Sequence, residues 1–416
     1  MKPTHARYWV VIFALTLAMI MYVQRVAISV AAVPISAELH LDNAQMGLVF
    51  GAFGLSYALF ELPMGLFGDR LGVRRVLAQI VLGWSLFTAL TGAAWNFASM
   101  WAIRFLFGAG EAGCFPNLTR MLSAWLPVGE RIKAQALMWA FSRWGGAATP
   151  LLVLFVINIF GWRLGFVALG ALGVAWCVAF LLWFKDDPAR HKSVNPAELE
   201  MLEHSRKLVT HNAGLPWYRL LLRPQIFILS LQYFCFSYVW NFYISWLPKW
   251  LVQAHGQTLA AAAHYAVWPL LLGGFGSLIS GLLPLGVSRR WLAFFGFAAT
   301  GLLLFAITRV QDTAIAMALM ALASFCSDLT MPISWNACVE IGKQYTATVA
   351  ATMNMLGNFA GFVAPTLTGI ILQEFSNDWN FVLYLMVAAA AVSATCWLFF
   401  DLSKAKDSPE TEGVYP

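Results

Sequence analysis

An arginine and a glutamate lie in one otherwise apolar stretch, residues 101–113. Arg104 and Glu111 are seven positions apart, so on a helix both side chains lie on the same face, about 10 Å apart along the axis. Charges inside a membrane-spanning helix must face a protein interior or a water-filled cavity. Burial favours a neutral carboxyl group, whereas a nearby arginine favours the charged form. The pattern therefore predicts a carboxyl group that takes up and releases a proton.

Three further ionisable residues interrupt apolar segments, namely Arg25, Arg143 and Asp328. The guanidinium fork of arginine suits a carboxylate, so we expect Arg25 and Arg143 to bind an anion. For Arg25 the alternative is pairing with backbone carbonyls, and for Arg143 it is an ion pair with Glu111 or Asp328. Asp328 is a second candidate for proton binding. For Arg104 and Glu111 the alternative is a permanent salt bridge.

The composition indicates a helical membrane protein. Hydrophobic residues make up 60% of the chain and charged residues 11%, with a mean hydropathy of +0.70, whereas a soluble domain is typically about 25% charged. Apolar runs recur at a length that spans a bilayer as a helix. The net charge of +6 does not indicate nucleic-acid binding, because the basic residues lie in short loops. We expect an all-α polytopic protein with twelve transmembrane helices.

No cofactor or metal is expected from the sequence. The six cysteines are scattered within the predicted spans and lack metal-type or redox-type spacing. There is no phosphate-binding loop and no nucleophile–base pair. An enzyme is therefore not expected.

The predicted spans form two sets of six, separated by one long polar loop. The expected organisation is an N-terminal half at residues 1–185, a cytoplasmic linker at 186–223, a C-terminal half at 224–402 and a cytoplasmic tail at 403–416. The spans are predicted at residues 8–35, 43–67, 76–96, 99–125, 133–158, 162–184, 224–252, 261–286, 291–308, 312–341, 346–373 and 379–401.

The basic residues predict the orientation in the membrane. With both termini inside, 19 lysines and arginines lie on the cytoplasmic side and three, Arg163, Lys249 and Arg309, on the other. Loops rich in these residues stay on the cytoplasmic side, so both termini are expected to be cytoplasmic. The one N-x-S/T sequon begins at Asn117 inside a predicted span, where it could not be glycosylated. These features favour a bacterial inner membrane.

A charged motif joins the second and third predicted spans. It consists of Gly65, Asp69, Arg70, Gly72, Arg74 and Arg75. The motif resembles the G-x-x-x-D-R-x-G-R-R signature of the major facilitator superfamily, with one additional residue before the last two arginines. The layout of six spans, a long loop and six spans is also similar to that superfamily. The resemblance implies two rocking halves and a gating role for these charges. The equivalent loop before Arg290 keeps the bases and lacks the acid.

Within the superfamily the chain resembles the anion:cation symporters, the group of bacterial galactonate, glucarate and hexuronate transporters related to sialin and the vesicular glutamate transporters. This resemblance implies that Arg25 contacts the substrate carboxylate, that Glu111 takes up a proton and that Arg104 is coupled to Glu111. The residues that carry the resemblance are Tyr22, Arg25, Tyr57, Arg104, Glu111, Phe115-Pro116-Asn117, Trp125-Leu126-Pro127, Asn354 and Asn358.

Two positions depart from the pattern of that group. Sugar-acid members often have an acid immediately before the first-span arginine, where this chain has Gln24. A second proton site at that place is therefore not expected. Sugar-acid members can have a glutamine where this chain has Arg143, and the additional positive charge favours a more acidic or a shorter substrate.

These features together predict a proton-coupled symporter that imports a small organic anion by alternating access, most simply a sugar acid such as an aldonate or hexuronate. The alternatives are an importer of aromatic or short dicarboxylic acids, a membrane receptor that does not transport, and an intramembrane enzyme. A monomer is expected. Glu61 is expected in a gate at the inner end of its span. The remaining residues expected around the substrate are Tyr22, Gln24, Tyr57, Tyr243, Trp335, Asn354 and Asn358.

Overall fold

The computed structural model describes residues 3–207, 224–282, 289–342 and 346–400 of the 416-residue chain. Some side chains inside these ranges, including those of residues 65–70, are not described. The helices in these ranges are α1 (Ala6–Val30), α2 (Ala32–Leu39), α3 (Asn43–Leu71), α4 (Val73–Thr91), α5 (Phe97–Glu111), α6 (Cys114–Trp125), α7 (Val128–Trp183), α8 (Pro196–Lys207), α9 (Pro224–Ser245), α10 (Leu247–His255), α11 (Leu259–Leu282), α12 (Arg289–Ile307), α13 (Thr313–Asp328), α14 (Met331–Gly342), α15 (Thr346–Glu374) and α16 (Trp379–Phe399).

These helices build twelve membrane spans in two halves of six, which confirms the predicted fold class. Spans 1, 4, 7 and 10 each consist of two helices, the pairs α1–α2, α5–α6, α9–α10 and α13–α14. Helix α7 holds spans 5 and 6, which are divided at Gly161 (φ 72°, ψ 167°). In the described part of the chain, eight helical segments are long and apolar enough to cross a membrane, and the longest, Leu137–Trp183, contains parts of both these spans.

Span 4 is broken at its centre, although the sequence predicts one continuous helix over residues 99–125. Helix α5 ends at Glu111, Ala112 is extended (φ −55°, ψ 142°), and Gly113 has a left-handed backbone (φ 79°). Glycine adopts that conformation without steric cost. A Cβ atom at Gly113 would also lie 2.5 Å from the Cβ atom of Met64. The break therefore places Glu111 at a helix end inside the bundle.

The two halves pack against each other mainly through spans 2 and 11 (α3 against α15) and spans 5 and 8 (α7 against α11). Spans 2 and 11 approach closely at Gly47, where a Cβ atom would lie 2.6 Å from the carbonyl oxygen of Pro365 and 2.9 Å from Cα of Gly369. Small residues allow such close helix contacts in membranes.

Since the number of spans is even, the start of α1 and the end of α16 lie on the same side of the bundle, called here the terminal face. Helix α8, between the two halves, is fastened to this face. Arg7 Nη1 donates to Glu198 Oε1 at 3.1 Å, and Arg7 Nε donates to Glu130 Oε2 at 3.1 Å. Glu198 is fully buried and also accepts from the hydroxyl of Thr4.

The described part of the predicted gating motif stabilises the N-terminal half itself. Gly72 ends α3 with φ 85°. Arg74 donates to the carbonyl oxygens of Phe184 at 2.9 Å and Leu181 at 2.5 Å, which satisfies the end of span 6. Arg290 makes the same kind of bond at the end of span 12, to the carbonyl oxygen of Trp397 at 3.0 Å.

Less can be said about the other residues of the motif. Arg75 is exposed. The side chains of Asp69 and Arg70, and the surroundings of Gly65, lie outside the described residues. The gating role that the resemblance implies for this motif therefore stays a prediction.

Candidate functional site

A cavity of about 70 Å³ lies between the two halves. Sites for drug-sized ligands typically measure about 300–1,000 Å³, so this cavity is much smaller than such a site. Spans 1, 2, 4 and 5 contribute one wall and spans 7, 10 and 11 contribute the other. Arg25 and Arg143 both line it, together with Tyr22 and Tyr57. With Asn354 and Asn358, which also line it, six of the nine residues expected around the substrate are brought together.

Arg25 is held by an ion pair with Glu111. Its Nε atom donates to Oε1 of Glu111 at 2.9 Å, and Nη2 donates to the same oxygen. The guanidinium also packs against three aromatic rings of the cavity wall, with its Cζ atom 5.0 Å from the ring centre of Tyr22, 4.6 Å from Phe53 and 5.1 Å from Tyr57. Such cation–π contacts fix the orientation of the guanidinium.

Arg104 is not the hydrogen-bonded partner of Glu111, although the sequence places the two on one helix face. Arg104 is buried over the ring of Phe107, with Cζ 4.3 Å from the ring centre. Its Nε atom has no hydrogen-bond partner, and neither does Oε2 of Glu111. Glu111 therefore pairs with Arg25 through one oxygen, while its other oxygen and Arg104 keep unused hydrogen-bonding capacity.

Arg143 forms a second buried ion pair, across the two halves. Its Nη2 atom donates to Oδ1 of Asp328 at 2.7 Å, and both side chains are almost fully buried. The Cζ atom lies 3.5 Å from the ring centre of Trp240. Of the two roles expected for Arg143, the ion pair with Asp328 is the one observed here. Because Arg143 also lines the cavity, an anion in the cavity can reach it.

Glu61 of span 2 accepts hydrogen bonds from two residues of span 11 that line the cavity. The amide of Asn354 donates to its Oε1 at 2.6 Å, and the amide of Asn358 donates to its Oε2 at 3.0 Å. Both asparagines are among the residues expected around the substrate. Here both line the cavity while one N–H of each is engaged with Glu61. Nothing in the sequence indicates this cross-half pairing.

Three residues expected at the substrate are not among those that line the cavity. Gln24 is fully buried within the N-terminal half and donates to the carbonyl oxygen of Leu169 at 2.5 Å. The reason is helical geometry, since adjacent residues point about 100° apart and Arg25 takes the cavity side. Tyr243 is 2% exposed, and its hydroxyl has no partner. Trp335 lies behind Trp139, with ring centres 5.9 Å apart.

An aromatic layer closes the cavity toward the terminal face. The sequence does not indicate this layer. Phe115 stacks on Trp139 at 4.4 Å, Trp139 contacts Trp335, and Trp335 meets Tyr233 edge-on at 6.3 Å. Trp139 belongs to the N-terminal half and Trp335 to the C-terminal half. Together with the contact at Gly47 on the other side, this layer means that the halves touch both above and below the cavity.

A cavity between two six-span halves, lined by two arginines that are each paired with a buried carboxylate, is typical of membrane transporters. A comparison with models of protein families also indicates a membrane transporter. Residues 13–365 match the model described as "Major Facilitator Superfamily". The structure is also similar to that of a bacterial homolog of the human lysosomal transporter Spinster, in the inward-facing and occupied conformation, with a TM-score of 0.74, 20% identity and 100% coverage of both chains.

Curated relatives are similar along nearly the whole chain. The "Probable sulfoacetate transporter SauU" of Cupriavidus necator is 33% identical over 94% of this chain and 93% of its own. The hexuronate transporter of Bacillus subtilis is 28% identical over 88% of each chain. The "Probable galactarate/D-glucarate transporter GarP" of Escherichia coli is 27% identical over 96% of this chain and 95% of its own. The chain described here belongs to the major facilitator superfamily and is a multi-pass membrane transporter.

Proposed function

We propose that this protein is a proton-coupled symporter that imports a small organic anion carrying two acidic groups. The observation that carries the proposal is that Arg25 and Arg143 line one small cavity. Each arginine is neutralised by its own buried carboxylate, Glu111 or Asp328. A substrate with one acidic group at each end can replace both carboxylates.

The coupling follows from charge balance. Removing one partner from a buried ion pair leaves an uncompensated charge, which is strongly unfavourable. An acidic group of the substrate can therefore bind Arg25 only as Glu111 becomes neutral, that is, protonated. The same argument applies to Arg143 and Asp328. One proton accompanies each acidic group, so transport should be nearly electroneutral for anions of either charge.

The relatives support this substrate class. Sulfoacetate, named for the relative with 33% identity, carries a carboxylate and a sulfonate. Galactarate and D-glucarate, named for another relative, carry two carboxylates. Hexuronate, named for a third, carries one, so a sugar acid with a single acidic group is the second candidate. Asn354, Asn358 and Tyr57 at the cavity support it, since they can bond hydroxyl groups.

The orientation and location belong to the same proposal. The terminal face is the cytoplasmic face, because most lysines and arginines outside the spans lie there. The protein acts as a monomer in a bacterial inner membrane, with its halves at residues 1–185 and 224–402, a linker at 186–223 and a tail at 403–416. Import then proceeds from the opposite face, past the contact of spans 2 and 11, to the cavity and out through the aromatic layer.

Matched pairs of anions test the proposal. Uptake of sulfoacetate against acetate, and of D-glucarate against D-gluconate, is measured in proteoliposomes under an inward proton gradient. We expect the doubly acidic member of at least one pair to be preferred. Benzoate tests the alternative of an aromatic acid. Preference for the singly acidic members, or for benzoate, would contradict the proposed substrate class, and absence of proton-driven uptake for every compound would contradict the proposed transport function.

A double variant tests whether Arg143 recognises the second acidic group of the substrate. Arg143→Gln with Asp328→Asn removes both charges of the pair, so no buried charge remains alone. Charge-assisted hydrogen bonds contribute about 1.5–3 kcal/mol, so the affinity for the doubly acidic substrate should fall about tenfold or more. Affinity for the singly acidic partner should change little. An equal loss for both substrates would mean that Arg143 does not recognise the second acidic group.

A further inference from the structure

A second cavity, of about 390 Å³, lies at the face opposite the termini. One side is formed by α2 and the start of α3, in the N-terminal half. The other is formed by α10 and the end of α15, in the C-terminal half. Gly47, one of the residues at which the halves approach closely, follows Asn43 of the cavity wall by one helical turn. The cavity therefore lies above the contact that must part to admit a solute from this side.

Lys249 is the cationic group of this cavity. Its side chain belongs to α10 and is only 3% exposed. The Nζ atom donates to the hydroxyl of Ser36 at 3.5 Å and lies 5.4 Å from the ring centre of Trp246. Among the described residues Lys249 forms no ion pair, although the carboxylate of Asp42, which also lines the cavity, attracts it at longer range. A buried ammonium without a carboxylate in contact is unfavourable unless another anion neutralises it.

The other basic residues expected on this face are engaged or distant from the cavity. Arg163 donates to Glu38 at 2.8 Å and to the carbonyl oxygen of Gly92 at 2.8 Å. Arg309 is exposed beside the ring of Phe305. Neither lines the cavity. An anion that approaches the junction of the halves from this side thus meets Lys249.

The remaining polar groups of the cavity are suited to weak, reversible anion binding. Gln253 and Gln373 present side-chain amides, which can donate to an oxyanion. The carboxylate of Asp42 also lines the cavity and accepts the backbone N–H of Gln45 as the cap of α3. Its negative charge opposes tight binding of an anion. Transport pathways need sites that solutes enter readily and also leave.

We propose that this cavity is a second, weaker anion-binding site, in which Lys249 captures carboxylate or sulfonate groups before they enter the central cavity. The inference rests on the proposed transport of organic anions and adds a binding site outside the central cavity. Since Lys249 and its partner Ser36 belong to different halves, an anion that takes over Lys249 also weakens a contact across the closed junction. Capture and opening toward this face are thereby linked.

A fluorescent label detects this site independently of transport. Ala37, an exposed residue of the cavity wall, is replaced by Cys and labelled with bimane. The purified protein is titrated with sulfoacetate, D-glucarate and the uncharged control glucose at constant ionic strength. We expect a saturable signal with the anions and none with glucose. Lys249→Gln should raise the half-saturating concentration about tenfold, the low end of the effect of local charge on anion capture, and Lys249→Arg should retain the signal.

Two variants separate this site from the central one. Arg25→Gln disables the central cavity and should leave the label signal intact, whereas Arg309→Gln removes a basic residue of the same face and should change nothing. An unchanged half-saturating concentration in Lys249→Gln, or loss of the signal in Arg25→Gln, would overturn the proposal, as would the absence of any signal in the labelled parent. Failure of uptake in unlabelled protein bears on the proposed function alone, so the two failures are distinguishable.

Discussion

Glu111 and Asp328 occupy equivalent positions in the two halves of the molecule. Glu111 is the last residue of α5, the first helix of span 4, and Asp328 is the last residue of α13, the first helix of span 10. Both carboxylates are fully buried, and each accepts a hydrogen bond from an arginine of another span. Broken helices with charged groups near the midplane mark binding and coupling sites in transporters. Each half thus carries one buried carboxylate at this position, whereas both partner arginines belong to the N-terminal half.

Replacement of Arg25 by lysine tests the first pair. Lysine keeps the charge but loses the guanidinium fork and its stacking on the aromatic rings of the cavity. We expect substrate affinity to fall about tenfold or more, while the protein still folds, because a charge-assisted hydrogen bond is lost. Arg163→Lys, at the surface, is the matched control. Unchanged affinity in Arg25→Lys would remove Arg25 from the substrate site.

Replacement of Asp328 by asparagine tests the second pair through stability. The variant leaves the buried Arg143 without a negative partner, and breaking a buried pair in this way costs about 3–5 kcal/mol. We expect a clear fall in Tm during thermal unfolding in detergent. Addition of Arg143→Gln should restore much of the loss. If Asp328→Asn unfolds at the parent temperature, the ion pair seen here is not important for the stability of this conformation.

The charge balance of transport is the third prediction. With Gln24 in place of an acid beside Arg25, a singly charged anion is expected to enter with one proton. With Asp328 as the second carrier, a doubly charged anion should enter with two. Neither should produce a sustained current in electrical recordings of proteoliposomes. A substrate-induced inward current that grows with negative internal potential would show that more protons than acidic groups are carried.

The fourth prediction concerns the ion pair that holds helix α8 against the terminal face. Glu198→Gln removes the buried negative charge that holds Arg7, so the linker should detach more readily and Tm should fall. Glu200→Gln, an exposed position on the same helix, is the control and should have little effect. Limited proteolysis of the linker should be faster in Glu198→Gln than in Glu200→Gln. Equal cleavage rates would contradict a fastening role for Glu198.

The sequence predicts the fold well because its signals are local. Span length, loop charge and the six-loop-six layout follow from hydropathy, which acts on each segment separately. The breaks in spans 4 and 10 are harder to foresee, because they depend on neighbours. Gly113 is needed where span 4 passes Met64, and only the packed structure shows that approach.

The sequence indicates which residues belong to the site better than it indicates which residues they bond. Arg25 and Arg143 line the cavity, and both can be found in the sequence because a charged residue within an apolar span indicates a functional site. The partner of Glu111 is not evident, because helix periodicity relates residues of one helix and Arg25 comes from another. The same limit explains why the pairing of Glu61 with Asn354 and Asn358 was not predicted. Gln24 is expected around the substrate and directly precedes Arg25, yet one step along a helix turns a side chain to another face.

The Glu111→Gln variant tests the central claim most directly. Glutamine keeps the shape of the side chain and mimics its protonated state, so Arg25 is permanently available to the substrate. We predict that the variant binds substrate and exchanges it across the membrane in counterflow at a rate comparable to the parent. Accumulation driven by a pH gradient, measured on the same proteoliposomes, should be lost. If Glu111→Gln concentrates substrate against its gradient as well as the parent does, Glu111 is not the coupling carboxylate.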